Sequence, residues 1–270
     1  MSLTHPLAAA VAAVLLWAPL AAQTQVIQPI KAEKTTETRT VPLAAGSTLK
    51  VKNVNGFIHV EAWDRDEVQF TGEFKPSSRD EQVKVVLESG KNGLEIRGEY
   101  PKHNGWGSYQ GPQCQMTLKV PRRVVSSLET VNGEVALSGT RGAASLTTVN
   151  GGVRAMDLGD SLQATTVNGA VTLERVQGGL TIQTVNGTIK GTGLDGLGRG
   201  VKAETVNGTI HLQIAGLKGH LTATTLNGGI TFKAKGAEQV EVAKRRVTAT
   251  FPGGDQDIHL STVNGAITLD

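Results

Sequence analysis

Between residues 128 and 270 the chain returns seven times to Thr-Val-Asn-Gly or a close variant, with the Asn at 132, 150, 168, 186, 207, 227 and 264. Successive Asn residues are 18, 18, 18, 21, 20 and 37 positions apart. Relative to each Asn, position −2 is always Thr (Thr130 to Thr262), and position +3 is always Val or Ile (Val135 to Ile267). Position −4 is Leu, Ile or Ala, and +5 is mostly apolar. Alternation with period two on both sides of an Asn-Gly corner means two short strands per repeat. Such a unit cannot bury its own apolar face, so it must stack on its neighbours or join a larger closed sheet.

Two architectures satisfy this pattern. Asn-Gly between alternating apolar residues is a strong hairpin signal, which allows an antiparallel hairpin meander. The other is an all-β, right-handed parallel β-solenoid (β-helix) with coils of about 18 residues, identical positions stacking at about 4.8 Å. Recurrence of the same Thr at −2 favours the solenoid, because a hairpin turn has no use for it. In that frame Thr and Asn both point inward, Asn132, Asn150, Asn168, Asn186, Asn207, Asn227 and Asn264 form a hydrogen-bonded interior ladder, and Gly at +1 supplies a positive φ. The gap of 37 fits a degenerate eighth coil with Arg246 at the ladder position, flanked by Val240, Val242, Ala249 and Phe251. The ladder is then expected to break after Asn227 and resume at Asn264.

The remaining sequence divides around this array. Residues 1–22 read as a signal peptide: Leu7 to Leu16 are all Leu, Ala or Val, and Ala21 and Ala22 suit cleavage before Gln23. Residues 23–47 form an N-terminal extension. Residues 48–125 form an N-terminal β region with a loop at 101–112, and 126–270 form the regular repeat. The frame occurs once early, at Leu49, Val51, Asn53, Val54, Asn55, Gly56, Ile58 and Val60. Strand-like runs follow near Val68–Phe74, Val83–Glu88, Leu94–Tyr100 and Gln115–Val120. The single Cys114 cannot form an internal disulfide, and the chain is expected to be exported, periplasmic or extracellular, without stable membrane insertion. Lys and Arg exceed Asp and Glu by 27 − 24 = 3, too mild a bias for a nucleic-acid binder.

Val54-Asn55-Gly56 followed by Trp63-Asp64-Arg65-Asp66-Glu67-Val68, then Leu118-Lys119-Val120-Pro121 leading into Leu128, and the Thr-Val-Asn-Gly array together resemble the bacterial putative-adhesin domain family. The resemblance spans roughly Leu49 to Asp270. It implies an exported β-helical domain and carries over no catalytic motif.

No residue set calls for a cofactor or a metal. Gly191, Gly193 and Gly196 spell G-x-G-x-x-G where the spacing lengthens to 21, which marks a loop insertion and not a dinucleotide site. Glu129 and Glu204 share position −3, but three coils intervene, and a separation near 19 Å exceeds that of cooperating glycosidase carboxylates. The candidate contacts are Tyr100, Trp106 and Tyr109 around a Gly-rich loop, and the basic run Lys244, Arg245 and Arg246. These suit an envelope polysaccharide or surface protein, and the sequence reads as a non-enzymatic adhesin-like scaffold. The alternative is a polysaccharide lyase or hydrolase on a β-helix.

Overall fold

The computed structural model describes residues 23–28, 34–102 and 111–270, so the expected signal peptide at 1–22 lies outside the described residues. Its regular structure is entirely strand, arranged in a 13-stranded and an 11-stranded sheet. Each repeat contributes one strand to each sheet, joined at the Asn-Gly corner: Leu162–Asn168 lies in the first sheet and Val171–Val176 in the second.

The repeats pair in parallel and in frame, with Leu162 opposite Leu180, Thr166 opposite Thr184 and Asn168 opposite Asn186. Val125–Glu129 pairs in parallel with Ala144–Thr147 and with Thr48–Lys52, so it does not fold back on Val135–Ser138. The meander is thereby excluded, and the solenoid begins at the early copy, as its frame predicts. Inward Val, Leu and Ile of the two sheets interdigitate in one cluster of buried residues running from Ile27 to Leu269.

Both ends depart from parallel stacking. At the N-terminal end, Gln23–Ile27 and Lys84–Gly90 extend the first sheet by antiparallel pairing, as do Thr35–Pro42 and Glu67–Lys75 in the second. The Trp-Asp-Arg-Asp-Glu segment makes the turn into Glu67–Lys75. Trp63 Nε1 donates to Glu67 O at 2.8 Å, the Arg65 guanidinium lies over the Trp63 ring, and Arg122 holds Asp64 with two hydrogen bonds.

At the C-terminal end the expected degenerate coil is absent. Residues 239–251 form an antiparallel hairpin, with Gln239–Ala243 against Arg246–Phe251 and Lys244-Arg245 at its tip. Arg246 pairs with Thr224 and occupies no ladder position. The sequence reading failed here because a hairpin strand alternates with the same period as a coil strand, so Val240, Val242, Ala249 and Phe251 fit either.

Candidate binding surface

The repeated corner builds the most regular surface of the molecule. Each Thr at −2 is buried, no more than 5% exposed. Its Oγ1 donates to the carbonyl of the corner glycine in the coil before it, at 2.9–3.1 Å: Thr130 to Gly56, Thr148 to Gly133, Thr166 to Gly151, Thr184 to Gly169, Thr205 to Gly187, Thr262 to Gly208 and Thr225 to Gly265. In the earliest copy Asn53 replaces Thr, and its Nδ2 reaches Cys114 O at 2.7 Å.

The Asn ladder exists, but it faces solvent. All seven predicted members are exposed, joined by Asn55, and each Nδ2 donates to the Oδ1 of its neighbour at 2.8–2.9 Å. Strict alternation sends Asn inward, whereas the chain bends at the corner and turns −1 and 0 outward together. The ladder also does not break, because Asn264 stands between Asn207 and Asn227.

The corner glycines serve close approach and not a special dihedral. A Cβ on Gly169 would lie 1.9 Å from Gly151 O. From Gly151 to Gly265 the corner glycines avoid positive φ, and the earlier Gly56 alone lies well inside that region, at 130°.

Beside the ladder stands an exposed apolar column that site searching by polar residue type overlooked. Val54, Val131, Val149, Val167, Val185, Val206, Val263 and Leu226 sit at −1, each 36–55% exposed. Its signal was present, since −1 is outward by parity yet apolar in every copy. At about 4.8 Å per coil, seven steps give an edge roughly 34 Å long.

Of the predicted contact residues, Tyr100 and the basic run 244–246 lie toward opposite ends of the first sheet. Tyr100 packs against the core; its hydroxyl donates to Asn53 Oδ1 at 2.5 Å, accepts from the Asn55 amide at 3.1 Å, and is pushed above its usual pKa by burial. Half-buried, it braces the first corner. Trp106 and Tyr109 lie outside the described residues. Lys244, Arg245 and Arg246 are exposed at the hairpin tip, beyond the last coil.

The sheet faces carry ion pairs, among them Lys50–Glu95, Lys52–Glu129 and Arg97–Glu88 on the first. On the second, Glu134 meets His59 and Arg154, and His211 meets Asp270 at 2.8 Å. Among the described residues no cluster of three His, Cys, Asp or Glu is placed to hold a metal ion, and no helix is long and apolar enough to cross a membrane. Burial pushes the Cys114 thiol up to about 12.

Two sheets stacked coil on coil, with a repeated hydrogen-bonded corner, define a repeat protein of the β-solenoid class. The chain belongs to the Toastrack DUF4097 family, whose profile matches residues 126–270. No curated protein matches the sequence. Among solved structures, a putative adhesin from Bacteroides fragilis is 14% identical, with 89% of this chain and 99% of that one covered and a TM-score of 0.47. A putative cell adhesion protein from Clostridium sporogenes is 12% identical, with 88% and 99% covered and a TM-score of 0.40. A putative lipid binding protein from Parabacteroides distasonis is 13% identical, with 87% and 96% covered and a TM-score of 0.33.

Proposed function

We propose that this protein is an exported, non-enzymatic, adhesin-like scaffold that presents the Val–Asn edge to an envelope polymer, a cell surface or a surface protein. The carrying observation is the uncovered column of Val54 to Leu226 beside its amide ladder. A rigid row of methyl groups next to polarised amides offers repeated, identical contacts to a long ligand, and repetition raises avidity without any single strong site. The basic hairpin tip adds a cationic contact for anionic groups at one end.

The triple variant Val149→Lys, Val167→Lys and Val185→Lys tests this in a sedimentation assay with purified cell envelopes. Loss of at least about tenfold in affinity is expected, with thermal stability lowered by only a few degrees because these side chains are already partly exposed. Unchanged binding removes the edge from the function. Release of reducing or unsaturated sugar ends from envelope polysaccharide by the wild-type protein would overturn the non-enzymatic reading.

A further inference from the structure

Spatial order and chain order part company near the C-terminal end. Val201–Asn207 pairs with Asp257–Asn264 and not with the next repeat in sequence, Gly219–Asn227, which lies on the far side of Asp257–Asn264. In the second sheet Ile267–Leu269 is likewise held between Ile210–Ile214 and Ile230–Phe232. The chain therefore skips a slot one coil wide, completes coil 219–232, runs out into the hairpin, and returns through 252–256 to fill the slot.

The connections 215–218 and 252–256 occupy the same edge and cross, an arrangement that open sheets avoid. They touch: a Cβ on Gly219 would fall 2.2 Å from Gln256 O, and one on Gly254 would fall 2.9 Å from Lys218 Cβ.

The slot is specific for one kind of occupant. Gly208 O accepts from Thr262 Oγ1 at 3.0 Å, Asn207 Oδ1 accepts from Asn264 Nδ2 at 2.8 Å, Asn264 Oδ1 accepts from Asn227 Nδ2 at 2.9 Å, and Gly265 O accepts from Thr225 Oγ1 at 3.0 Å. A Cβ on Gly265 would strike Gly208 O at 1.9 Å, so only an Asn-Gly corner enters. The mouth opens beside a shallow depression of about 820 Å³ that carries two acids and two bases, Asp160, Asp195, Arg199 and Lys218, among glycines. A surface with both signs of charge suits an isologous contact with its own copy.

We propose that this slot is a coil-exchange site, and that its occupant in trans is coil 257–270 of a second copy of this chain, giving a two-fold dimer in which each copy fills the other's slot. The contacts inside the slot are the same in cis and in trans, so the balance rests on the tether and on the facing edges. Six peptide steps from residue 251 to residue 257 reach about 20 Å, enough to cross to an edge laid against this one.

Thr231 and Thr268 are outward Cα partners across the slot. Thr231→Cys and Thr268→Cys single variants are mixed, unfolded, refolded together at high concentration and oxidised. Exchange is expected to yield a disulfide joining position 231 of one chain to 268 of another, at least about tenfold above a mixture kept folded throughout. The product should have twice the chain mass. Deleting Gly253 and Gly254 should shorten the tether enough to make the dimer the major species. Absence of the mixed disulfide, while the double variant closes within one chain, overturns exchange. Failure of the double variant to close overturns the slot itself, and a shortened variant that stays monomeric overturns the tether's role.

Discussion

At the residue scale the corner sets the tolerances. Gly169→Ala places a methyl group 1.9 Å from Gly151 O, against the backbone of the preceding coil, and should cost at least about 3 kcal/mol. Gly198→Ala meets nothing within 4 Å and should be near neutral by urea titration. Equal midpoints for the two would refute close approach as the reason for the repeated glycine. Thr166→Val keeps shape and burial but leaves Gly151 O without its hydroxyl donor, a loss of about 1–2 kcal/mol. Cys114 adds a pH dependence. Its folded pKa is raised to about 12, so the folded chain keeps this proton after the unfolded chain releases it near its ordinary value of 9.0. The stability contributed is complete below about pH 9 and is lost as pH rises toward about 12, by up to roughly 4 kcal/mol. Cys114→Ser should flatten that alkaline slope in chemical denaturation, and an unchanged slope would assign it elsewhere. Sequence reading recovered the inward Thr, but it gave the corner Gly a positive φ where close backbone approach is what requires it, and it turned Asn the wrong way, because alternation describes straight strands and the corner is bent.

At the element scale, the frame of two strands per repeat and its early start at Leu49 were legible from the same apolar positions recurring at one spacing, while parallel pairing was favoured over a meander only by the same Thr returning at −2. Strand direction at the ends was not legible. Glu67–Lys75 and Arg246–Phe251 alternate like coil strands, and only their partners make them antiparallel. The hairpin shows the consequence. Val247, which a regular corner would replace with Gly, is a buried core residue 1% exposed, so imposing Thr-Val-Asn-Gly on 244–247 should destabilise the fold. The two tip residues, Lys244 and Arg245, do not adopt positive φ, unlike the tight turns that best match strand twist. Lys244→Asn with Arg245→Gly should therefore raise stability by roughly 0.5–1 kcal/mol in thermal melts while removing two charges from the tip. A lower melting temperature would show that the present turn is held by contacts beyond the hairpin, and unaltered affinity for polyanions would remove the tip from binding.

At the scale of the whole molecule, identical coils create a competitor to the native order. Asn207 and Asn227 are 20 residues apart, within the 18 to 21 that separate coils stacked directly on one another. Nothing in chain length therefore prevents coil 219–232 from stacking on 201–214 before 257–270 arrives, with Thr225 against Thr205 and Ile230 against Ile210. That state satisfies the same hydrogen-bond frame and must reopen for the native slot to fill. Sequence similarity between neighbours is thus a source of misregister as well as of stability. Refolding is expected to be biphasic by pulsed hydrogen exchange. Amides of Leu162–Asn168 and Leu180–Asn186 should gain protection in the fast phase, and those of Asp257–Asn264 only in the slow one. Raising the protein concentration during the slow phase should divert chains into exchanged dimers, since an open slot and an unplaced coil then coexist. Protection that appears at one rate throughout the array, at every concentration, would mean that the slot is held open from the start and that the crossed connections form first.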